Sequence, residues 1–184
     1  PTNAGSLPVD LTATEDVLST LDLSAIELSD VDAGGGSLTL RLSTSTGGEI
    51  TASSGAGIII GNSGTATVTL NGTLADLNTY LDDPTNLRYL HSTTHTDGDN
   101  ADTISVVVND LGNTGIGGGT DQNLGTVNVD ISAINDAPVN TVPGTQTVAE
   151  ETLAVIGGIS ISDIDAGSSN LRTQLQVNNG SLDV

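Results

Sequence analysis

The chain is 184 residues long and sets 23 acidic residues against three arginines and no lysine, for a net charge of −20. So acidic a surface repels nucleic acid and anionic lipid and attracts cations. Cysteine, methionine, tryptophan and phenylalanine are all absent, so no disulfide can staple the fold, and the core must be built from Val, Ile, Leu and Ala, whose β-branched members favour strands.

In chain order, Ala13-Thr14-Glu15-Asp16 is an early strand segment carrying acids, and Asp30-Val31-Asp32-Ala33-Gly34 is an acidic turn. Leu38, Leu40 and Leu42 then alternate with Thr39, Arg41 and Ser43, the period of a half-buried strand. Ile58-Ile59-Ile60 predicts a short strand buried on both faces, and Ala66, Val68 and Leu70 alternate with Thr65, Thr67 and Thr69. The period changes over Thr73–Leu81. Leu74, Leu77 and Leu81 fall on one helical face, and Thr73 stands as N-cap with Asp76 three residues on, which predicts a two-turn helix. Tyr80 and Tyr89, the only aromatic residues, are expected in the core. Ile104, Val106 and Val108, then Val127, Val129 and Ile131, return to strand period, and Gly34-Gly35-Gly36 and Gly117-Gly118-Gly119 read as loops. Short strands punctuated by turns predict an all-β fold, a β-sandwich with one short helix.

The chain repeats itself. Pro8, Thr12, Glu15 and Asp16 match Pro143, Thr147, Glu150 and Glu151 at an offset of 135, and Ile26, Leu28, Ser29, Asp30, Asp32, Ala33 and Gly34 match Ile159, Ile161, Ser162, Asp163, Asp165, Ala166 and Gly167 at an offset of 133. Residues 1–135 thus read as one complete repeat, and residues 136–184 as the first part of a second. So short a part lacks a self-sufficient core, and it is expected to pair with another copy of the chain or to pack on the first repeat. The chain opens at Pro1 without a signal-peptide pattern and is expected to be a segment of a longer polypeptide. It holds no run of about 18 apolar residues that would span a membrane.

Four blocks in this order carry a family resemblance. They are Ala13–Asp16, repeated as Val148–Glu151; Asp30–Gly34, repeated as Asp163–Gly167; the long strand and acidic turn Asp102–Gly112; and the exit strand and linker Val127–Pro138, which ends in Asn135-Asp136-Ala137-Pro138. Together they resemble the bacterial cadherin-like repeat strung in tandem through large surface adhesins. The resemblance implies a Greek-key sandwich of cadherin or immunoglobulin type, secretion to the bacterial cell surface, and Ca²⁺ bound at repeat junctions. It also implies a structural role in adhesion or biofilm, with neighbouring repeats as partners. Carried over, the ligands of one junction would be Glu15, Asp97, Asp99, Asp102, Asn135, Asp136, Asp163 and Asp165. Asp30, Asp32 and Asp110 would form the half-site toward a preceding repeat, and Glu150 would be the second copy of Glu15. The chain departs from the family pattern at Ala133 and Ala137, which removes one acidic ligand.

Independently of any family, calcium takes about 6–8 oxygen ligands at about 2.3–2.6 Å, and carboxylates without thiol or imidazole suit it better than zinc or copper. Asp, Asn and Gly are also what turns use, so solvated acidic loops are the alternative. His91 and His95 stand four apart without cysteine nearby and are expected at the surface. No nucleophile-elbow sequence and no phosphate loop occurs, so an enzyme is not expected. A ligand-binding sandwich recognising glycan, another cell surface or a second copy is the other functional class, although such a face would need aromatic anchors.

Overall fold

The computed structural model describes residues 1–92, 95–113 and 119–184. Gly117 and Gly118 of the loop expected at Gly117-Gly118-Gly119 lie outside the described residues. The chain divides into two compact units, Pro1–Ile134 and Asn135–Val184.

Unit 1 is mostly β. Its strands are β1 (Thr2–Asn3), β2 (Asp10–Thr14), β3 (Ser19–Thr20), β4 (Leu28–Ser29), β5 (Ser37–Thr44), β6 (Glu49–Ala52), β7 (Ile59–Gly61), β8 (Thr67–Thr73), β9 (Leu87–Leu90), β10 (Gly98–Asn109) and β11 (Gln122–Ser132), with one helix, α1 (Leu74–Leu81). Six strands form a sheet in the order β2-β11-β10-β5-β8-β7, three form a second in the order β3-β9-β6, and β1 pairs with β4. Among the described residues β2 and β11 run parallel and the other pairs of unit 1 antiparallel.

Alternation decides which side of each strand is buried. Leu38, Leu40 and Leu42 of β5, Val68 and Leu70 of β8, and Ile104, Val106 and Val108 of β10 have no exposed surface. Register places them side by side, with Leu40 opposite both Leu70 and Val108. Ile50, Leu87 and Tyr89 of the three-stranded sheet join the same core. Burying each such side chain contributes about 1.5–3 kcal/mol. On β11 the register to β10 slips at Leu124, where Val106 faces Gly125 but Val107 faces Asn123. This is a bulge, and Gly125 takes it up at φ 130°.

The helix starts as expected. Thr73 accepts a hydrogen bond from the Asp76 amide at 3.2 Å, and Leu77, Tyr80 and Leu81 face the core. Both tyrosines are buried. Two expectations are corrected. Ile59 is 73% exposed, because β7 is the edge of its sheet and pairs on one side only, with β8. His91 is 1% exposed rather than at the surface, because it continues the inward alternation of Leu87 and Tyr89 beyond the end of β9; its Nε2 stands 3.2 Å from the Thr46 carbonyl oxygen.

Unit 2 contains two short strands among the described residues, β12 (Val139–Thr141) and β13 (Ser160–Ser162), paired antiparallel. Asn140 faces Ile161 there just as Asn3 faces Leu28 in unit 1, so this ladder reproduces β1–β4. No helix among the described residues is long and apolar enough to cross a membrane.

Candidate metal centre

One cluster of carboxylates forms at the end of unit 1 where β4 and β10 run out. Asn78 on α1 sets the β4 side. Its side-chain oxygen accepts from the Leu28 amide at 2.8 Å and its amide donates to the Leu28 carbonyl at 2.9 Å, so a side chain stands in for a strand partner two residues before Asp30. Asp30 Oδ1 then accepts the Asp32 amide at 3.1 Å, and the turn closes with Gly36 N–H on the Ala33 carbonyl at 2.8 Å. Gly34 sits at φ 57°, a left-handed conformation that glycine adopts without a Cβ penalty. Buried Ala33 anchors the turn to the core.

The β10 side is built by Asp110, whose Oδ1 accepts the Gly112 amide at 3.0 Å and the Gly119 amide at 2.7 Å. Those two bonds hold its carboxyl below the usual carboxylate range. Asn113 latches the two turns together by donating to the Ser37 carbonyl at 2.7 Å. A Cβ at Gly36 would collide with the Asn113 side chain, which is why that position is glycine.

Asp30, Asp32 and Asp110 each bring one carboxylate oxygen to within 4.8 Å of the others, a group that can hold a metal ion. Asp30 Oδ2 is buried without a hydrogen bond and faces the Pro1 nitrogen at 3.3 Å. The Asp32 carboxyl is raised above its ordinary value first by its hydrogen bond to Asp30, then by desolvation and by the like charge of Asp30 crowded beside it. A cation relieves that crowding. The Asp-x-Asp-x-Gly pattern marked Asp30 and Asp32, and only the family resemblance placed Asp110 with them.

The carboxylates expected at the other end of unit 1 divide into three environments. Glu15 is buried and clamps the chain as it leaves β11, with Oε1 accepting the Ile134 amide at 2.8 Å. Its Oε2 lies 3.2 Å from His95 Nδ1, and His95 Nε2 lies 3.3 Å from Asp97, so an imidazole ring stands between Glu15 and Asp97. Asp99 belongs with Asp130 and Asp10, whose charges raise its carboxyl, Asp130 foremost. Asp102 is sealed in the core, where it accepts the Tyr89 hydroxyl at 2.7 Å, the Ser45 hydroxyl at 2.8 Å, and the Ser45 and Thr46 amides at 2.9 Å each. It ties the β5–β6 turn to β9 and β10. The family resemblance put Asp97, Asp99 and Asp102 in one group; Asp102 is buried while Asp97 and Asp99 are exposed, and between Asp99 and Asp102 the β10 ladder is irregular, with Asn100 at φ 52°. Neither Asn78 nor the bridging His95 left a motif by which the sequence could have marked them.

In unit 2, Asp163 Oδ1 accepts the Asp165 amide at 3.0 Å, Asp165 accepts the Asp136 amide, and Asn135 donates to the Asp136 carbonyl at 2.9 Å. Glu150 is exposed. The turn repeats that of unit 1, with Gly167 at φ 51° against 57° for Gly34, and Glu151 at φ 57° against 58° for Asp16.

No protein-family model, no curated protein and no solved structure matches the chain.

Proposed function

We propose that this chain is a structural extender module of a long bacterial cell-surface protein, of the cadherin-like repeat type, in which bound calcium stiffens the joints between repeats. The observation that carries this reading is the convergence of Asp30, Asp32 and Asp110, which bring one carboxylate oxygen each to within 4.8 Å of the others. An all-oxygen donor set of this kind matches calcium. The recurrence of the same turn at Asp163–Gly167 supports a device used once per repeat. The strand order adds weight. A parallel β2 beside β11, β10 and β5 in one sheet and β3-β9-β6 in the other is the arrangement expected of an immunoglobulin- or cadherin-type Greek key, with β8 and β7 added at one edge. The role is mechanical, not catalytic. Adhesion through aromatic anchors is disfavoured because both tyrosines are in the core.

Thermal melting in calcium, magnesium and chelator tests the reading. Calcium binding to the folded state stabilises it by linkage, about 2.7 kcal/mol at a hundredfold excess over Kd, and magnesium should shift the melt less. Asp32→Ala should remove that part of the calcium shift which this site supplies. If chelator leaves both the melt and the solution shape unchanged, the proposal fails.

A further inference from the structure

The edge strand of a sheet carries backbone N–H and C=O groups with which another strand can pair, and proteins guard such edges with charge, proline or a covering segment. Among the described residues, three of the four edges of the two larger sheets of unit 1 are guarded. β2 starts on exposed Asp10, two residues after Pro8, and runs on into Glu15 and Asp16. β3 lies between the exposed acids Asp16 and Asp22. β6 opens on Glu49, and the segment after β7 covers it. There the Thr65 carbonyl accepts the Ile50 amide at 2.9 Å, the Ile50 carbonyl accepts the Gly64 amide at 2.8 Å, and Ser63 Oγ accepts the Ala52 amide at 2.9 Å.

The fourth edge, β7, has no such guard. It pairs on one side only, with β8, and from Ile50 to Ala75 the chain carries neither a charged residue nor a proline. Ile59 is 73% exposed on this strand. Register sets it beside Asn71 and Thr39, in the row that alternates with buried Leu70 and Leu40, so it lies on the outer face of the sheet. Ala56-Gly57 before the strand and Ser63-Gly64 after it have little side chain to hold a neighbour off.

The lack of charge selects the occupant. Two copies of a chain of charge −20 repel wherever acid faces acid, and β7 is an edge at which none does. About a twofold axis normal to the sheet, a strand meets its own copy antiparallel and the two outer faces stay on one side. We infer that β7 is a lateral self-association edge whose occupant is β7 of a second copy, with each Ile59 opposite its twin and the two six-stranded sheets joined into one. The facing isoleucines then cover each other.

So short a strand makes a weak, transient contact, and sedimentation of the whole chain at up to about 1 mM tests it. In chelator, where metal cannot bridge acids, a monomer–dimer equilibrium is expected, and added salt should strengthen it by screening the repulsion between copies. Ile59→Asp sets like charges opposite each other and should weaken the dimer about tenfold. Val9→Asp, the same change beside β2 at the guarded edge, should leave it intact. The chain has no cysteine, so Ile59→Cys introduces a single thiol, which should oxidise to a cross-linked dimer several-fold faster than the exposed thiol of Val9→Cys. A monomer at every concentration, a dimer indifferent to Ile59→Asp, or equal cross-linking of the two cysteine variants would each overturn the pairing. With chelator present throughout, none of these outcomes depends on whether calcium binds at Asp30, Asp32 and Asp110.

Discussion

Residues 26–34 and 159–167 carry nearly the same sequence and fold locally alike, yet Ile26, Leu28 and Ala33 of one copy are sealed in a core and their counterparts in the other are not. Both turns use an Asp side chain to accept the amide two residues on, at 3.1 Å and 3.0 Å, and both use a left-handed glycine. Both lie beside a two-stranded ladder in the same register. The difference is long-range. Unit 1 has β5 through β11 to cover its aliphatic residues and, among the described residues, exposes six large hydrophobic side chains, whereas the much shorter unit 2 exposes 13. Turn geometry is therefore an attribute of a few adjacent residues, and burial an attribute of strands far away in sequence.

The sharpest way to break this comparison is to cut equivalent side chains. Leu38→Ala should destabilise the protein by about 2–5 kcal/mol, the cost of a cavity in a packed core. Leu171→Ala, its counterpart, should cost less than about 0.5 kcal/mol. Urea denaturation of the two variants decides it, and equal losses would show that unit 2 owns a core of its own.

The next largest effect concerns acid. Burial pushes the Asp102 carboxyl up, but the Tyr89 hydroxyl and the bonds from Ser45 and Thr103 outweigh it and hold the group below its ordinary value. A folded-state pKa below the unfolded one means that the stabilisation is present above the unfolded value of about 3.9 and is lost as pH falls through the folded value. Unit 1 should accordingly lose stability at low pH, and Asp102→Asn should flatten that dependence. The variant should also cost about 2–3 kcal/mol at neutral pH, because hydrogen bonds to a charged acceptor are lost. An unchanged acid limb in the variant would show that other carboxylates govern acid unfolding.

The smallest effect sharpens the local half of the comparison. Gly34 and Gly167 lie at φ 57° and 51°, so alanine at either costs about 1 kcal/mol of backbone strain. Gly34→Ala should lower the melting temperature of unit 1. Gly167→Ala should leave that transition in place and appear only as faster amide exchange near Asp165. A Gly167→Ala variant that shifts the main transition would join the two units into one cooperative block.

Much of the fold was legible because period-two alternation is a local signal. Leu38, Leu40 and Leu42, or Ile104, Val106 and Val108, announce a strand and its buried side together. The helix cap at Thr73 was legible for the same reason. Ile59 was not, since three isoleucines in a row do not say whether their strand lies at the centre or the edge of a sheet. His91 was misplaced at the surface because its residue type outweighed its position in the alternation of β9. At the acidic turns, Asp30 and Asp32 announced themselves by spacing. The partition of Glu15, Asp97, Asp99 and Asp102 did not, because sequence proximity carries no information about which face of a strand a carboxylate takes.

By itself the sequence determined the repeat, the strand periods, the capped helix and the conformation of both Asp-x-Asp-x-Gly turns, since each depends on interactions within a few residues. Only the tertiary structure decided that Asp102 is locked under Tyr89, that His95 stands between Glu15 and Asp97, and that Ile26 and Leu28 are covered while Ile159 is not. Those outcomes depend on which distant strands lie side by side, and that is settled by the packing of a whole sheet rather than by any short segment within it.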